Sequence, residues 1–235
     1  MITKEHISKK FDADLEEVRT SVLQMGGFVV QQIEQAVEAL STGDEQAIEQ
    51  IVKNDHRVNA MQVKIDELSC QIIARRQPTA GDLRMIMTVI NTITDLERIG
   101  DEAAKIARMA KMIYDTDRLQ MPRFIEIKHI ANLTIDMVNK ALDAFARLDP
   151  SVSAKIVRQD DEVDEEFRSI IRQLITFMME DPRKISTAIE ILFVAKAIER
   201  IGDHAKNMSE YVVYMVKGKD VRHISADEIE REVNE

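Results

Sequence analysis

The chain has 235 residues, enough for one or two domains with a sizeable core, and a formal net charge of −10. That charge argues against a general nucleic-acid binder, which needs a basic footprint against phosphates. Thirteen Met, no Trp, only seven Gly and four Pro favour helix, and the single Cys70 excludes a disulfide within the chain.

The opening MITKEHISKK has no apolar core for a signal peptide, and the longest strictly apolar run is Ile191–Ala195. A cytoplasmic protein without direct membrane insertion is expected. Helical periodicity is interrupted at Gly43, Pro78, Pro122, Pro150, Pro182 and Gly218, which predicts six helices at 5–42, 44–77, 79–115, 122–148, 150–180 and 182–217. Asp149-Pro150 and Asp181-Pro182 each offer an N-cap acid followed by a first-turn proline, and Thr79 with Asp82 resembles a capping pair. Cys70 lies in an apolar helical stretch and reads as a buried thiol. No useful length alternates with period two, so no strands are expected. The charged stretch from Lys219 reads as a tail, partly ordered at best.

The chain repeats itself. Ala36–Asp55 aligns with Ala141–Asp160 at six identical positions, among them the Asp44/Asp149, Ile51/Ile156 and Asp55/Asp160 pairs. The pentapeptide Glu-Arg-Ile-Gly-Asp occurs at Glu97–Asp101 and again at Glu199–Asp203. The fold class expected is therefore all-α: two tandem, internally duplicated three-helix bundles at 1–118 and 119–218, followed by the tail 219–235.

At 100° per residue, Leu83, Ile86, Ile90, Ile93, Asp101 and Ala104 fall within about 40° of Glu97. Ile185, Ala188, Leu192, Ala195 and Asp203 share a stripe with Glu199 in the same way. The acids continue an apolar stripe, and Gly100 and Gly202 flank it, leaving room for a neighbour or a coordinated group. Counting from the turns at Pro78 and Pro182 sets Asp55 and Asn59 opposite Asp101 and Glu97, and Asp160 and Asp164 opposite Asp203 and Glu199.

Converging carboxylates on apolar stripes are costly without a cation, and hard or borderline cations take oxygen ligands. The candidate metal ligands are Asp55, Asn59, Glu97 and Asp101 in the first copy and Asp160, Asp164, Glu199 and Asp203 in the second. His204 follows the second cluster directly and reads mainly as a surface or interface residue. The competing reading is plain salt-bridge faces, since Asp101 has Lys105 at i+4 and Asp203 has Lys206 at i+3. Arg98 and Arg200, a quarter turn off the stripe, are placed either to pair with acids or to bind an anion or partner.

The doubled LERIGD/IERIGD, the Met25–Gly27 MGG and the ARRQPTAGDLR of Ala74–Arg84 together resemble the PhoU family over nearly the whole chain. The resemblance implies two tandem three-helix bundles in a cytoplasmic, usually dimeric protein. It implies a negative regulator of the phosphate-starvation regulon that acts with the ATPase subunit of the phosphate-specific ABC transporter and a phosphate-sensing histidine kinase. It further implies Mg, Mn, Fe or Zn at the acid clusters, on the bundle surface rather than in a core. Asn59 departs from the family pattern, which has an acid there; with one neutral ligand, the first cluster is expected to bind metal less tightly than the second. No nucleophile–base set, P-loop or nucleotide fingerprint is present, so no enzyme is expected. A carboxylate-bound metal-dependent hydrolase and a metal-free structural adaptor are the alternative functions.

Overall fold

The computed structural model describes residues 9–115 and 125–234. Seven α-helices occur among them: α1 (Lys9–Thr42), α2 (Glu45–Arg76), α3 (Ala80–Asp115), α4 (Ile125–Arg147), α5 (Ser153–Glu180), α6 (Ile185–Lys217) and α7 (Ala226–Asn234). Short 3₁₀ turns at Pro150–Val152 and Pro182–Lys184 lead into α5 and α6. No strand occurs among the described residues. The break expected at Pro122 and the 118/119 boundary lie outside the described residues.

The joints form where the sequence carries stop and start chemistry. Gly43 adopts φ +69° after α1, a conformation that favours glycine, and Asp44 then accepts from the backbone N–H of Gln46 and Ala47. Gln77 closes α2 in the left-handed region, with its N–H on the Ile73 carbonyl. Asp149 and Asp181 accept from Ser151 N–H and Arg183 N–H, and each is followed by a proline in the first turn. The repeated Asp44/Asp149 pair therefore does the same capping work in both copies.

Helices α1, α2 and α3 pack on one another, as do α4, α5 and α6, and the two bundles share one continuous apolar core. The most extensive helix pair, α3 with α6, crosses between bundles. Across it Thr88 of α3 donates to the Tyr211 carbonyl of α6. A second cross-bundle contact joins α1 to α4, where Gly26 leaves the space that Leu142 enters: a Cβ on Gly26 would stand 2.4 Å from Leu142 Cδ2.

Two sequence expectations are corrected here. Cys70 is exposed, because it lies on the outer face of α2, whose buried positions nearby are Ser69 and Ile72. The stretch after Lys217 is ordered rather than a loose tail. Val221 and Ile229 are buried with Ala154, Val157 and Val213 beneath α7. Burying a side chain such as Ile229 contributes about 2 kcal/mol. Ser225 and Glu228 form a reciprocal capping box at the start of α7. Arg158 reaches both Asp227 and Glu230, at 2.8 and 2.6 Å, and Lys219 pairs with Glu232.

Candidate functional site: two acid clusters and the seam between them

Each cluster lies along a two-helix groove. In the first, α2 supplies Asp55 and Asn59 and α3 supplies Glu97 and Asp101; all four are half-buried. In the second, α5 supplies Asp160 and Asp164 and α6 supplies Glu199 and Asp203. There Asp160 and Glu199 are buried, Asp164 is half-buried and Asp203 is exposed. The stripe that carries them marks the border between core and groove. Ile86, Ile93, Ala188 and Ala195 are buried on it, whereas Leu83 and Ile185 are exposed toward the hairpin turns.

The acids sense one another across each hairpin. Burial raises the Asp55 carboxyl above its usual range, and the charge of Asp101 on the facing helix raises it further. Glu97 is raised by burial, then by Asp101, with a further contribution from Asp55. Burial also raises Asp160, although its hydrogen bond from Lys206 works in the opposite direction. Asp203 is pushed up to about 6, by loss of solvent around its carboxyl and then by Glu199 and Asp160, even though much of the residue's surface remains open. As the side chains stand, no three His, Cys, Asp or Glu side chains among the described residues gather closely enough by themselves to hold a metal ion.

The two clusters are neutralised differently. Lys196 donates to both Glu199 oxygens at 2.5 and 2.6 Å, and Lys206 donates to Asp160 at 2.8 Å. Lys196 also lies 5.4 Å from the Phe167 ring centroid, so the aromatic face helps to hold the ammonium in place. In the first cluster Arg98 approaches Glu97 and Asp101 at only 3.6 and 3.7 Å, and is more than half exposed. The buried oxygens Asp55 Oδ1 and Asn59 Oδ1 have no hydrogen-bond partner there. Such orphaned acceptors fit a cation or an ordered water.

The glycines of the repeated pentapeptide face side chains rather than backbone. A Cβ at Gly100 would stand 3.3 Å from Val58 Cγ1 and 3.6 Å from Gln32 Oε1. At Gly202 it would meet Thr134 Cγ2 at 3.4 Å and Asp160 Oδ1 at 3.6 Å.

Sequence reasoning missed the polar seam where α3 meets α6. Buried Asp95 lies 2.6 Å from His204 Nδ1, so His204 is an interface residue. Arg200 crosses to Glu102 at 2.8 Å, and Lys105 reaches the same buried carboxylate at 3.2 Å. Glu102 and His204 occupy the same repeat position, 102 residues apart. Lys105 and Lys206 thus pair with Glu102 and Asp160, not with Asp101 and Asp203 as local spacing allowed.

The duplicated hairpins are matched by a known family. The model described as PhoU domain matches residues 22–110 and again 127–212, one match per bundle. The chain belongs to the PhoU family. A Pseudomonas putida relative named phosphate-specific transport system accessory protein PhoU homolog is 44% identical over 99% of this chain and 92% of its own length. The Escherichia coli K12 protein named phosphate-specific transport system accessory protein PhoU is also 44% identical, over 96% and 93%. The crystal structure of PhoU from Pseudomonas aeruginosa superposes with a TM-score of 0.84 at 43% identity, covering 89% of this chain and all of that one. That of the phosphate transport system regulatory protein PhoU from Streptococcus pneumoniae gives 0.83 at 27% identity, over 90% and 99%. The tandem PhoU architecture expected from the repeat is therefore the architecture found. Among the described residues of this PhoU chain, no helix is long and apolar enough to cross a membrane.

Proposed function

We propose that this chain is a non-enzymatic, cytoplasmic regulator of phosphate uptake that holds phosphate-starvation genes off when phosphate is plentiful. Its partners in this reading are the ATPase subunit of a phosphate-specific ABC transporter and a phosphate-sensing histidine kinase, and it works as a homodimer. The observation that carries the reading is near-full-length identity of 44% to relatives named accessory proteins of the phosphate-specific transport system. Identity at that level over both bundles supports carrying the relatives' accessory role over to this chain.

In the same reading the two clusters take divalent or iron-type cations, with Asp55, Asn59, Glu97 and Asp101 holding one and Asp160, Asp164, Glu199 and Asp203 the other. A cation there offsets carboxylate repulsion and joins the two helices of a hairpin while leaving the groove face open to a partner. The test is genetic. Deleting the gene should switch on phosphate-starvation genes in high phosphate, and a plasmid copy should restore repression. Normal repression in the deletion strain would refute the proposal. Turnover of a generic phosphoester by the purified protein with Mn²⁺, lost in Asp203→Asn, would favour the hydrolase alternative instead.

A further inference from the structure

Exposed apolar side chains gather toward the turn of the second hairpin. Ile185, Ile189 and Phe193 of α6 are 41, 40 and 48% exposed, and Ile175 and Met179 of α5 are exposed in the same half of the hairpin. Single exposed apolar residues are ordinary, but a run at four-residue spacing lies along one helix face and marks a contact surface. The stripe continues past Phe193 as Lys196, Arg200 and Asp203, so from Ile189 onward the spacing is four, three, four, three. That is the spacing of a seam between two packed helices.

Whatever covers the stripe has to match its charges. The chain carries −10 overall, so two copies repel at long range unless they meet where charge is balanced. From Arg183 to Asp203 there are four cations and three acids, and their order is self-complementary: Arg183 lies ten residues before Phe193 and Asp203 ten after it. The Arg183 side chain is 81% exposed and pairs only with Asp181 two residues away, while Lys184 lies over the Phe177 ring and has no ion pair among the described residues. Asp203 is exposed and likewise has no ion pair among the described residues, because Lys196 goes to Glu199 and Lys206 to Asp160. A twofold axis at Phe193 runs two α6 helices antiparallel and lays Phe193 on Phe193. Ile185 and Ile189 then meet the aliphatic stems of Lys196 and Arg200, and the basic turn of each copy meets Asp203 of the other.

The first bundle lacks this arrangement. At the equivalent positions, 102 residues earlier, Phe193 becomes Asn91 and Arg183-Lys184 becomes Gly81-Asp82, whereas Asp203 is kept as Asp101. The same apposition there would lose its aromatic centre and set acid against acid.

We infer that the exposed stripe of α6 from Ile185 to Asp203 is the face on which a second copy of this chain docks, antiparallel about Phe193. The inference rests on the homodimer reading and adds to it the surface and the register. Phe193 is the central aromatic anchor, and the basic turn fixes the register through Asp203.

The test is sedimentation equilibrium of the full chain in EDTA, comparing wild type, Phe193→Asn and Met87→Asn. Phe193→Asn copies the first bundle at an exposed position, and Met87 is the 43% exposed repeat equivalent of Ile189. Wild type should be dimeric, Phe193→Asn should raise the dimer dissociation constant tenfold or more, and Met87→Asn should leave it unchanged. Lys184→Glu and Asp203→Lys should each weaken the dimer, and the double variant should bind more tightly than either. A dimer indifferent to Phe193→Asn, or weakened equally by Met87→Asn, would overturn this face while the homodimer reading stands. No recovery in the double variant would overturn the antiparallel register. A wild-type chain that stays monomeric at about 100 µM would overturn both the face and the homodimer reading.

Discussion

Replacing Glu210 with glutamine should stabilise this protein above neutral pH and do little in mild acid. Glu210 projects from α6, is only 6% exposed, and has its carboxyl pushed from the usual 4.5 up to about 7. Burial is the main cause; Lys206 and Arg222 oppose it, while Asp160 and Asp220 add to it. Between pH 4.5 and 7 the folded protein keeps a proton that the unfolded chain has released. Stability therefore falls as pH rises through that window, and the loss is complete above it. A displacement from 4.5 to about 7 corresponds to roughly 3 kcal/mol at about 1.4 kcal/mol per pH unit. The glutamine amide would keep the shape and the neutral state without the penalty. Thermal melts of wild type and Glu210→Gln in EDTA, at pH 5 and pH 8, measure the difference. Titration of Asp203 contributes to both proteins and cancels. The variant should melt roughly 6–10 °C higher at pH 8, and within about 2 °C of wild type at pH 5. A variant no more stable at pH 8, or shifted equally at both pH values, would show that Glu210 is held ionised by its cationic neighbours.

Gly43→Ala should lose about 2 kcal/mol, because its φ of +69° strains any side chain and the new Cβ would meet the Tyr114 ring at 2.6 Å. Gly27→Ala, with nothing within 4 Å, should gain about 0.5–1 kcal/mol; urea denaturation separates the two. Arg200→Met leaves buried Glu102 with Lys105 alone and should cost about 1–2 kcal/mol, discounted because the arginine is partly exposed. Arg98→Met should stay within about 0.5 kcal/mol, and equal costs in the same denaturation assay would show that the α3–α6 seam contributes nothing special. Ile229→Ala should release α7, since a nine-residue helix does not stand alone, and amides 226–234 should lose hydrogen-exchange protection while the main transition barely moves. Retained protection would mean that α7 is held by its ion pairs rather than by its buried isoleucine.

Local rules were enough for the helices and their order. Asp149 and Asp181 cap where an acid followed by a proline predicts a cap, Asp44 does the same after Gly43, and the repeated Ala36–Asp55 and Ala141–Asp160 segments occupy corresponding places in two bundles. Hairpin counting set Asp55 opposite Asp101 and Asp160 opposite Asp203, and these carboxylates do feel each other's charge, because two antiparallel helices around a short turn have little freedom in register. The α7 signal was present as well, in the S-x-x-E spacing of Ser225 and Glu228, but the density of charge around it masked it. What the sequence could not determine is which side chains meet across helices distant along the chain. Lys105 and Lys206 had acids at suitable local spacing, yet they pair with Glu102 and Asp160. Asp95 met His204, and Arg200 crossed to Glu102, only because α3 and α6 pack against each other. Gln32 reads on its helix as one polar residue among many. Its burial beside Gly100 follows from the three-helix closure, which no periodicity within α1 records. Periodicity and caps are interactions within a few residues, so a linear chain contains them. The partner of a buried charge or amide depends on rotation and register between elements, and these are settled only when the whole core packs.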